Sequence, residues 1–470
     1  MAKKQIERRL VVVSNRVAVP RAGKPASGGL AVAVNSALVA RGGLWFGWDG
    51  RKLARRTASP RHHKHDGVEY VTLPLLSTDY DDYYQGFANR VLWPLMHYRL
   101  ALLHYQRRYY EGYQRVNAWF AEHLMKLLGA DDMLWVHDYH LVPLAAEVRA
   151  RGFTGPIGFF LHTPFPPLDI LRSLPPHREF LHWFSAYDLV GFQTEVDQRA
   201  FLGAMRYDIG AATDQKGEVV LGDRRIATRV FPIGVDVKEV ADQARHGRSS
   251  RHVAMLKTSL EGRQLIIGAD RLDYSKGLIE RFRAYQHLLR IHPELLGDIV
   301  YLQVAEPSRS EVPEYQEVRR QLDQVAGEII GHYARFDWMP IRYLNRRMQR
   351  PTLLAFLSVA RVGLVTPLRD GMNLVAKEFI AAQDPEDPGV LVLSEMAGAA
   401  SQLHDALLVN PYDVEGVGEA IAEALAMPLA ERRRRWKRLF VLVRRNDINA
   451  WSERFLGTLV QAFESRSGKR

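Results

Sequence analysis

The sequence predicts an α/β protein of two doubly wound domains. Short runs of continuously apolar residues alternate with longer segments of helical period from end to end, and the alternation breaks once near the middle. Runs that are apolar at every residue, rather than at every second one, mark strands covered on both faces of a parallel sheet. At 470 residues the chain exceeds one ordinary core and supports two.

Taken in order, strands are predicted at 10–13, 133–136, 157–161, 189–192 and 230–233, then at 265–268, 299–304, 362–365, 390–393 and 406–409. The helix over 276–291 shows the intervening pattern, with Leu278, Phe282, Tyr285 and Leu289 at spacings of 4, 3 and 4. Between the halves, residues 231–240 end a strand and lead into a polar, basic stretch at 243–252. The boundary therefore divides residues 1–236 from 237–450. In two facing doubly wound domains the carboxyl ends of both sheets border one central cleft, so motifs that follow strands carry the functional information.

Hydrophobic residues at 47% and charged residues at 25% exclude wholesale disorder. Cysteine is absent, which removes disulfides, thiolate metal sites and cysteine nucleophiles together, and points to the cytoplasm. The apolar run at 10–13 is too short for a signal peptide, and no run is long enough to cross a bilayer. Lys and Arg outnumber Asp and Glu by 64 to 53, a net charge of +11 that favours anionic partners: nucleic acid, anionic membrane or phosphorylated metabolites.

The strongest site signal runs from Val362 to Glu378 and reads strand, tight loop, helix. Asp370 and Gly371 sit where a ligand would, with Met372 beside them. Backbone N–H groups from Asn373 through Leu374 to Val375 can hold a diphosphate at the helix start, and Glu378 can accept from two adjacent sugar hydroxyls. Alternatively Asp370-Gly371 only turns the chain and Asn373 only caps the helix. A second strand-to-helix junction, Ala269 to Gly277, brings Arg271 and Lys276, two cations that can converge on an anion or merely pair with Asp270 or Asp273. Neither GxGxxG nor GxxxxGK[ST] occurs. In the first half, Ser14-Asn15-Arg16 follows a strand and Gly28-Gly29 opens the first helix. Asp138 and His162 follow strands and should face the cleft. His137 and His140 lack a third ligand and read as structural, so no metal site is expected. Asp79-Tyr80-Asp81 and His62-His63-Lys64-His65 read as a polar loop and an exposed basic turn. The basic stretch 431–445 reads as a solvated amphipathic helix with Leu429, Trp436, Phe440 and Val443 on one face.

Taken together, SNR, SGGLAV, YYQGFANRVLWPLMHY, WVHDYHL, FFLHTPFP, RLDYSKG and VTPLRDGMNLVAKE, in this order, closely resemble the trehalose-6-phosphate synthases from about Leu10 to about Trp451. The resemblance implies a GT-B fold of two Rossmann-like domains, an N-terminal one binding the acceptor and a C-terminal one binding the nucleotide sugar, with the helix at about 451–470 packed back on the first. It implies transfer of glucose from UDP-glucose to glucose 6-phosphate with retention, giving α,α-trehalose 6-phosphate and UDP, with UDP-glucose as donor substrate and no other cofactor. By motif, Arg16, Tyr84, Trp93, Asp138 and Arg309 fall where the family binds glucose 6-phosphate. Gly28, Gly29, Arg271, Lys276, Met348, Asp370, Gly371, Met372, Asn373, Leu374, Val375 and Glu378 fall where it binds the nucleotide sugar, and His162 and Asp370 match positions that contact the transferred glucose. Arg16 and Arg309 are expected to meet at the acceptor phosphate. The segment around Arg309 departs from the usual pattern at Glu306 and Glu311. Retention leaves two routes open, front-face attack and a double displacement through Asp370; the resemblance favours the first.

Three rivals remain at this level. A related synthase with another nucleotide donor, or with an acceptor such as glycerol 3-phosphate, would read almost the same. A sugar phosphorylase of similar architecture would need pyridoxal phosphate on a lysine. A non-catalytic nucleic-acid-binding or regulatory protein would exploit the +11 charge, but two phosphate-bearing substrates account for that charge without nucleic acid or membrane as partners. The reading is compatible with a homo-oligomer.

Overall fold

The structure, a computed structural model, describes residues 8–20, 29–55, 59–309 and 311–467. The chain divides into two compact units, Met1–Pro232 together with Ile448–Arg470, and Ile233–Asp447.

The first unit is built on β1 (Leu10–Arg16), β2 (Gly43–Leu53), β3 (Arg61–His65), β4 (Val68–Leu76), β5 (Met133–His137), β6 (Ile157–Phe160), β7 (Leu189–Phe192), β8 (Ala212–Thr213), β9 (Glu218–Leu221) and β10 (Arg224–Val230), in the order 3-4-2-1-5-6-7-10-9-8. Neighbours from β4 to β10 are parallel, and β3, β9 and β8 add antiparallel edges. The order reverses between β1 and β5, so the chain leaving their carboxyl ends frames a crevice. Continuous burial of Val11, Val12 and Val13 explains why β1 lacks alternation. The last helix, Ile448–Ser467, buries Trp451, Phe455 and Leu459 in this unit. Gly158 on β6 is small because a Cβ there would lie 2.8 Å from the Phe455 ring.

The second unit holds β11 (Gln264–Arg271), β12 (Ile299–Glu306), β13 (Ile341–Leu344), β14 (Val362–Val365), β15 (Val390–Ser394) and β16 (Leu407–Val409), all parallel in the order 13-12-11-14-15-16. Counted within the unit this is 3-2-1-4-5-6, the doubly wound order whose reversal lies between β11 and β14. Among the described residues no helix is long and apolar enough to cross a membrane.

Several expectations need correction. The strand placed at 230–233 runs from Arg224 to Val230; Pro232 has no N–H to continue the ladder. Asp79 is not in a loop: it ends a short helical turn, Ser77–Asp79, that continues as a wide π-type helix over Tyr80–Leu92. There Asp79, 1% exposed, accepts from Arg115 at 2.8 Å, so that carboxylate is structural. His62 to His65 form an exposed edge strand, β3, rather than a turn, and its charge blunts edge pairing. In the helix Leu429–Arg445, Leu429 is exposed whereas Arg432 is buried and donates to Asp387 at 2.6 Å, so the basic face is not wholly solvated.

Candidate active site

The second unit brings its two junctions together at the reversal point. After β11, Asp273 Oδ1 accepts from the backbone N and the Oγ of Ser275, each at 2.9 Å, setting a short turn over Tyr274–Lys276. Gly277 follows with φ +63°, and a Cβ there would meet the Thr366 carbonyl at 2.4 Å. After β14 the loop to Asn373 returns over this turn, with Leu368 N donating to Ser275 O at 2.8 Å. The result is an ion pair between Lys276 Nζ and Asp370 Oδ2, with side chains only 10% and 15% exposed. Asn373 Nδ2 also donates to Asp370 Oδ2, at 3.1 Å. Asn373 sits at φ +68°, which asparagine tolerates better than most residues, and its side chain makes no cap bond to the helix Leu374–Ala382. The simple capping alternative therefore fails: the side chain is turned to Asp370, and the N–H groups at the helix start have no side-chain cap.

Beneath the junctions lies Arg281, fully buried on the helix Leu278–Ile291. Its Nη1 donates to Asp270 Oδ2 at 2.6 Å and to Gln303 Oε1 at 3.0 Å, its Nε to Thr366 Oγ1 at 3.0 Å, and its Nη2 to the Lys276 carbonyl at 3.2 Å. One guanidinium thus joins the loop carrying Lys276 to the strand end carrying Thr366. Burial pushes the Asp270 carboxyl above its ordinary range, against the opposing pull of Arg281 and Lys276. On the helix Leu374–Ala382, Glu378 Oε1 accepts from Arg350 Nη2 at 3.1 Å, and Arg350 Nη1 donates to Glu239 at 2.8 Å. Burial raises the Glu378 carboxyl, and Arg350 pulls it back. Arg271 is exposed at the end of β11, and Met348 is half-buried between β13 and the helix Arg350–Leu357. Arg309, at φ +47°, is engaged within its own unit: its guanidinium donates to Asp273 Oδ2 at 3.3 Å and to the Tyr315 hydroxyl.

In the first unit β1 continues through Ser14, Asn15 and Arg16 rather than ending before them, because Arg16 still pairs with Trp48 on β2; the end of β1, the residues after β5 and β6 and the π-type helix carry the first unit's candidate residues. The Arg16 guanidinium lies 5.3 Å from the ring centre of Trp48, which also packs on Tyr84 at 5.6 Å. Tyr84 stacks on His140 at an interplanar angle of 15°. Trp93 is buried against Tyr139 and His97. Asp138 follows β5 at φ +76° and ψ 163°, a region almost reserved for glycine, which costs about 1–3 kcal/mol and marks a position held for a purpose. Its Oδ1 accepts from the His162 backbone N–H at 3.2 Å. The His162 Nε2 lies 3.0 Å from His137 Nδ1. Burial lowers the His162 ring to about 3 and the fully buried His137 ring well below its ordinary value, so both are neutral near pH 7. Gly29 opens the helix Gly29–Arg41, and Gly28 lies outside the described residues. Among the described residues no group of three or more His, Asp or Glu is arranged to hold a metal ion.

The profile of Glycosyltransferase family 20 matches residues 5–461, nearly the whole chain. The chain belongs to glycosyltransferase family 20. It is 49% identical over 453 residues to the trehalose-6-phosphate synthase of Cronobacter sakazakii, covering 96% of this chain and 95% of that one. A UDP-forming α,α-trehalose-phosphate synthase from Burkholderia xenovorans, solved in complex with glucose 6-phosphate, superposes with a TM-score of 0.93 at 46% identity, covering 96% of this chain and all of that one. An Escherichia coli structure described as bound with UDP-2-fluoro glucose gives 0.91 at 46% identity, covering 96% and 98%. The fold of this family 20 member is GT-B, with two parallel-sheet α/β units.

The structure thus places Lys276, Asp370, Gly371, Met372, Asn373, Leu374 and Val375 along one junction of the second unit; in the first it links Arg16 to Tyr84 through Trp48, and Asp138 to His162. Sequence reading missed Trp48, Arg281, Arg350 and Tyr315. For Arg281 a signal existed: a cation between Leu278 and Tyr285 on the apolar face of its helix.

Proposed function

We infer that this chain transfers glucose from UDP-glucose to glucose 6-phosphate with retention of configuration, giving α,α-trehalose 6-phosphate and UDP. The observation that carries the reading is the Lys276–Asp370 pair beside an uncapped helix start at the reversal of the 3-2-1-4-5-6 sheet, in a family 20 chain. On this reading the Lys276 ammonium, Arg271 and the helix N–H groups take the charge that develops on the departing diphosphate; one preorganised donor of this kind typically accounts for about 10²–10³ in rate. Glu378, aligned through Arg350, accepts from the ribose hydroxyls, and Met348 lines the nucleotide. His162 and Asp370 contact the transferred glucose. Arg16, Tyr84, Trp93, Asp138 and Arg309 serve the acceptor, the two arginines its phosphate.

The bond from the sugar's anomeric carbon to the diphosphate oxygen breaks as that carbon joins the acceptor's anomeric hydroxyl oxygen on the same face, and the hydroxyl proton passes to the departing phosphate oxygen. Because Asp370 Oδ2 already accepts from Lys276 and Asn373, its carboxylate is better placed to orient the sugar than to attack it, which supports the front-face route. UDP-glucose is the only cosubstrate the reading requires. A cysteine-free chain acting on phosphorylated sugars fits the cytoplasm.

The test is a panel of UDP-, GDP- and ADP-glucose against glucose 6-phosphate, glucose and glycerol 3-phosphate, with nucleotide release and product both measured. UDP release coupled to trehalose 6-phosphate is expected. Preference for another donor or acceptor would replace the substrate assignment, and no transfer with any pair would overturn the reading.

A further inference from the structure

The contact between His137 and His162 is useful beyond its packing. Two neutral imidazoles at 3.0 Å between Nδ1 of one and Nε2 of the other must share one proton: two lone pairs would repel, and two N–H groups would collide. Only two arrangements remain. Either His137 Nδ1–H donates to His162 Nε2, or His162 Nε2–H donates to His137 Nδ1.

The surroundings of His137 decide between them. Its other nitrogen, Nε2, is buried without a hydrogen-bond partner, and so are the indole nitrogens of Trp135 and Trp451. These three rings form one cluster, with Trp135 centred 4.4 Å from His137 and 4.9 Å from Trp451, and Trp451 6.3 Å from His137. An indole nitrogen only donates. If His137 carried its proton on Nε2, the cluster would hold three orphaned buried donors and no acceptor, and orphaned buried N–H groups are the rarer and costlier kind. With the proton on Nδ1, Nε2 instead presents a lone pair to a neighbourhood already rich in N–H.

We propose that His137 is a positioning residue that locks His162 in the Nδ1–H tautomer, so that His162 Nε2 accepts from His137 and His162 Nδ1–H is the donor offered to the transferred sugar. The last part rests on the proposed contact of His162 with the glucose. The aromatic lid from the last helix, with Trp451 centred 6.2 Å from His162, keeps the pair from turning. The reaction gains a hydrogen-bond donor of defined direction from a ring that burial keeps uncharged.

Histidine-selective ¹⁵N labelling of the full-length protein reads the tautomer directly. Wild type should show His162 protonated on Nδ1 and bare on Nε2. His137→Asn, whose amide N–H can stand in for Nδ1–H, should keep that signature and stay within about threefold of wild-type kcat, whereas His137→Leu should release His162 to mixed tautomers and lower kcat about tenfold with UDP affinity unchanged. A wild-type His162 protonated on Nε2 overturns the proposal even if every variant misfolds, and so does an unaltered His162 signature in a folded His137→Leu. An Nδ1–H signature together with full transfer by His162→Gln would uphold the lock and overturn instead the contact with glucose on which its use depends.

Discussion

Replacing Arg281 by Met keeps most of the stem volume but removes the cation from a site where both partners are buried, at 1% exposure for Arg281 and 3% for the Asp270 side chain. Removing one member of a buried pair typically costs about 3–5 kcal/mol. A ceiling follows from the escape route open to Asp270, which is to take a proton: for an ordinary carboxylate that costs about 4 kcal/mol at pH 7, at about 1.4 kcal/mol per pH unit. Burial already favours the protonated form, so a loss of about 3–4 kcal/mol is expected at pH 7. The sign follows from the proton balance. In the variant the folded state binds a proton that the unfolded state lacks, so the loss shrinks as pH falls and should be nearly gone around pH 4–5. Native-state hydrogen exchange of the β11 and β14 amides isolates this unit from the other. The double variant Arg281→Met with Asp270→Asn should recover most of the loss, a coupling of about 2–3 kcal/mol. A single variant costing under about 1 kcal/mol, a loss insensitive to pH, or a double variant as unstable as the single would refute the argument.

The other expectations are briefer. Asp370→Asn should mainly lower kcat and Glu378→Gln mainly raise the KM for UDP-glucose; steady-state kinetics giving equal effects on both parameters would undo that division. Arg309→Ala should raise the KM for glucose 6-phosphate about 10- to 100-fold while leaving unphosphorylated glucose little changed, and an unaltered preference for the phosphorylated acceptor would remove Arg309 from the phosphate. The neutral His162 ring, lowered to about 3, makes the first unit lose stability as pH falls below the unfolded value of about 6.5, by up to about 1.4 kcal/mol per unit; acid unfolding no flatter in His162→Gln would contradict this. If Lys276 and Arg271 supply the cationic charge, as proposed, transfer should persist in chelator, and complete loss restored by Mg²⁺ or Mn²⁺ would show otherwise.

The elements legible in the sequence were those buried on both faces, such as β14 and β15, whose apolar runs have one reading. β2 carries three glycines and the charged residues Asp49, Arg51 and Lys52 in its second half, and Pro74 interrupts β4. The structure accommodates the proline where the pairing shifts between Trp48 and Lys52, a detail of register that no local pattern announces. The same division holds in the site. Lys276 and Asp370 were legible because each follows a strand. Arg350 on Glu378, 28 residues away, and Arg281 on Thr366, 85 residues away, were not, because which partner a buried arginine finds is settled by the fold's topology. The spacing of His137 reads as structural and its burial agrees with that, but its contact with His162 at 3.0 Å is a pairing that spacing alone cannot express.

The return of the last helix to the first unit has a consequence for vectorial synthesis. The chain leaves that unit at Pro232 and re-enters at Ile448, and the two crossings lie side by side: the site of a Cβ on Gly234 is 2.1 Å from the Asn446 carbonyl. The second unit is therefore contiguous from Ile233 to Asp447 and can finish on the ribosome before the first, which waits more than 200 residues for Trp451 and Phe455 to emerge. Until then the floor of β6 and β7, pared to glycine at 158 and 191 for the Phe455 ring, stands open to water or to a chaperone. Cutting the chain after Asp447 should leave the second unit folded and the first arrested one helix short, with its nascent apolar face uncovered.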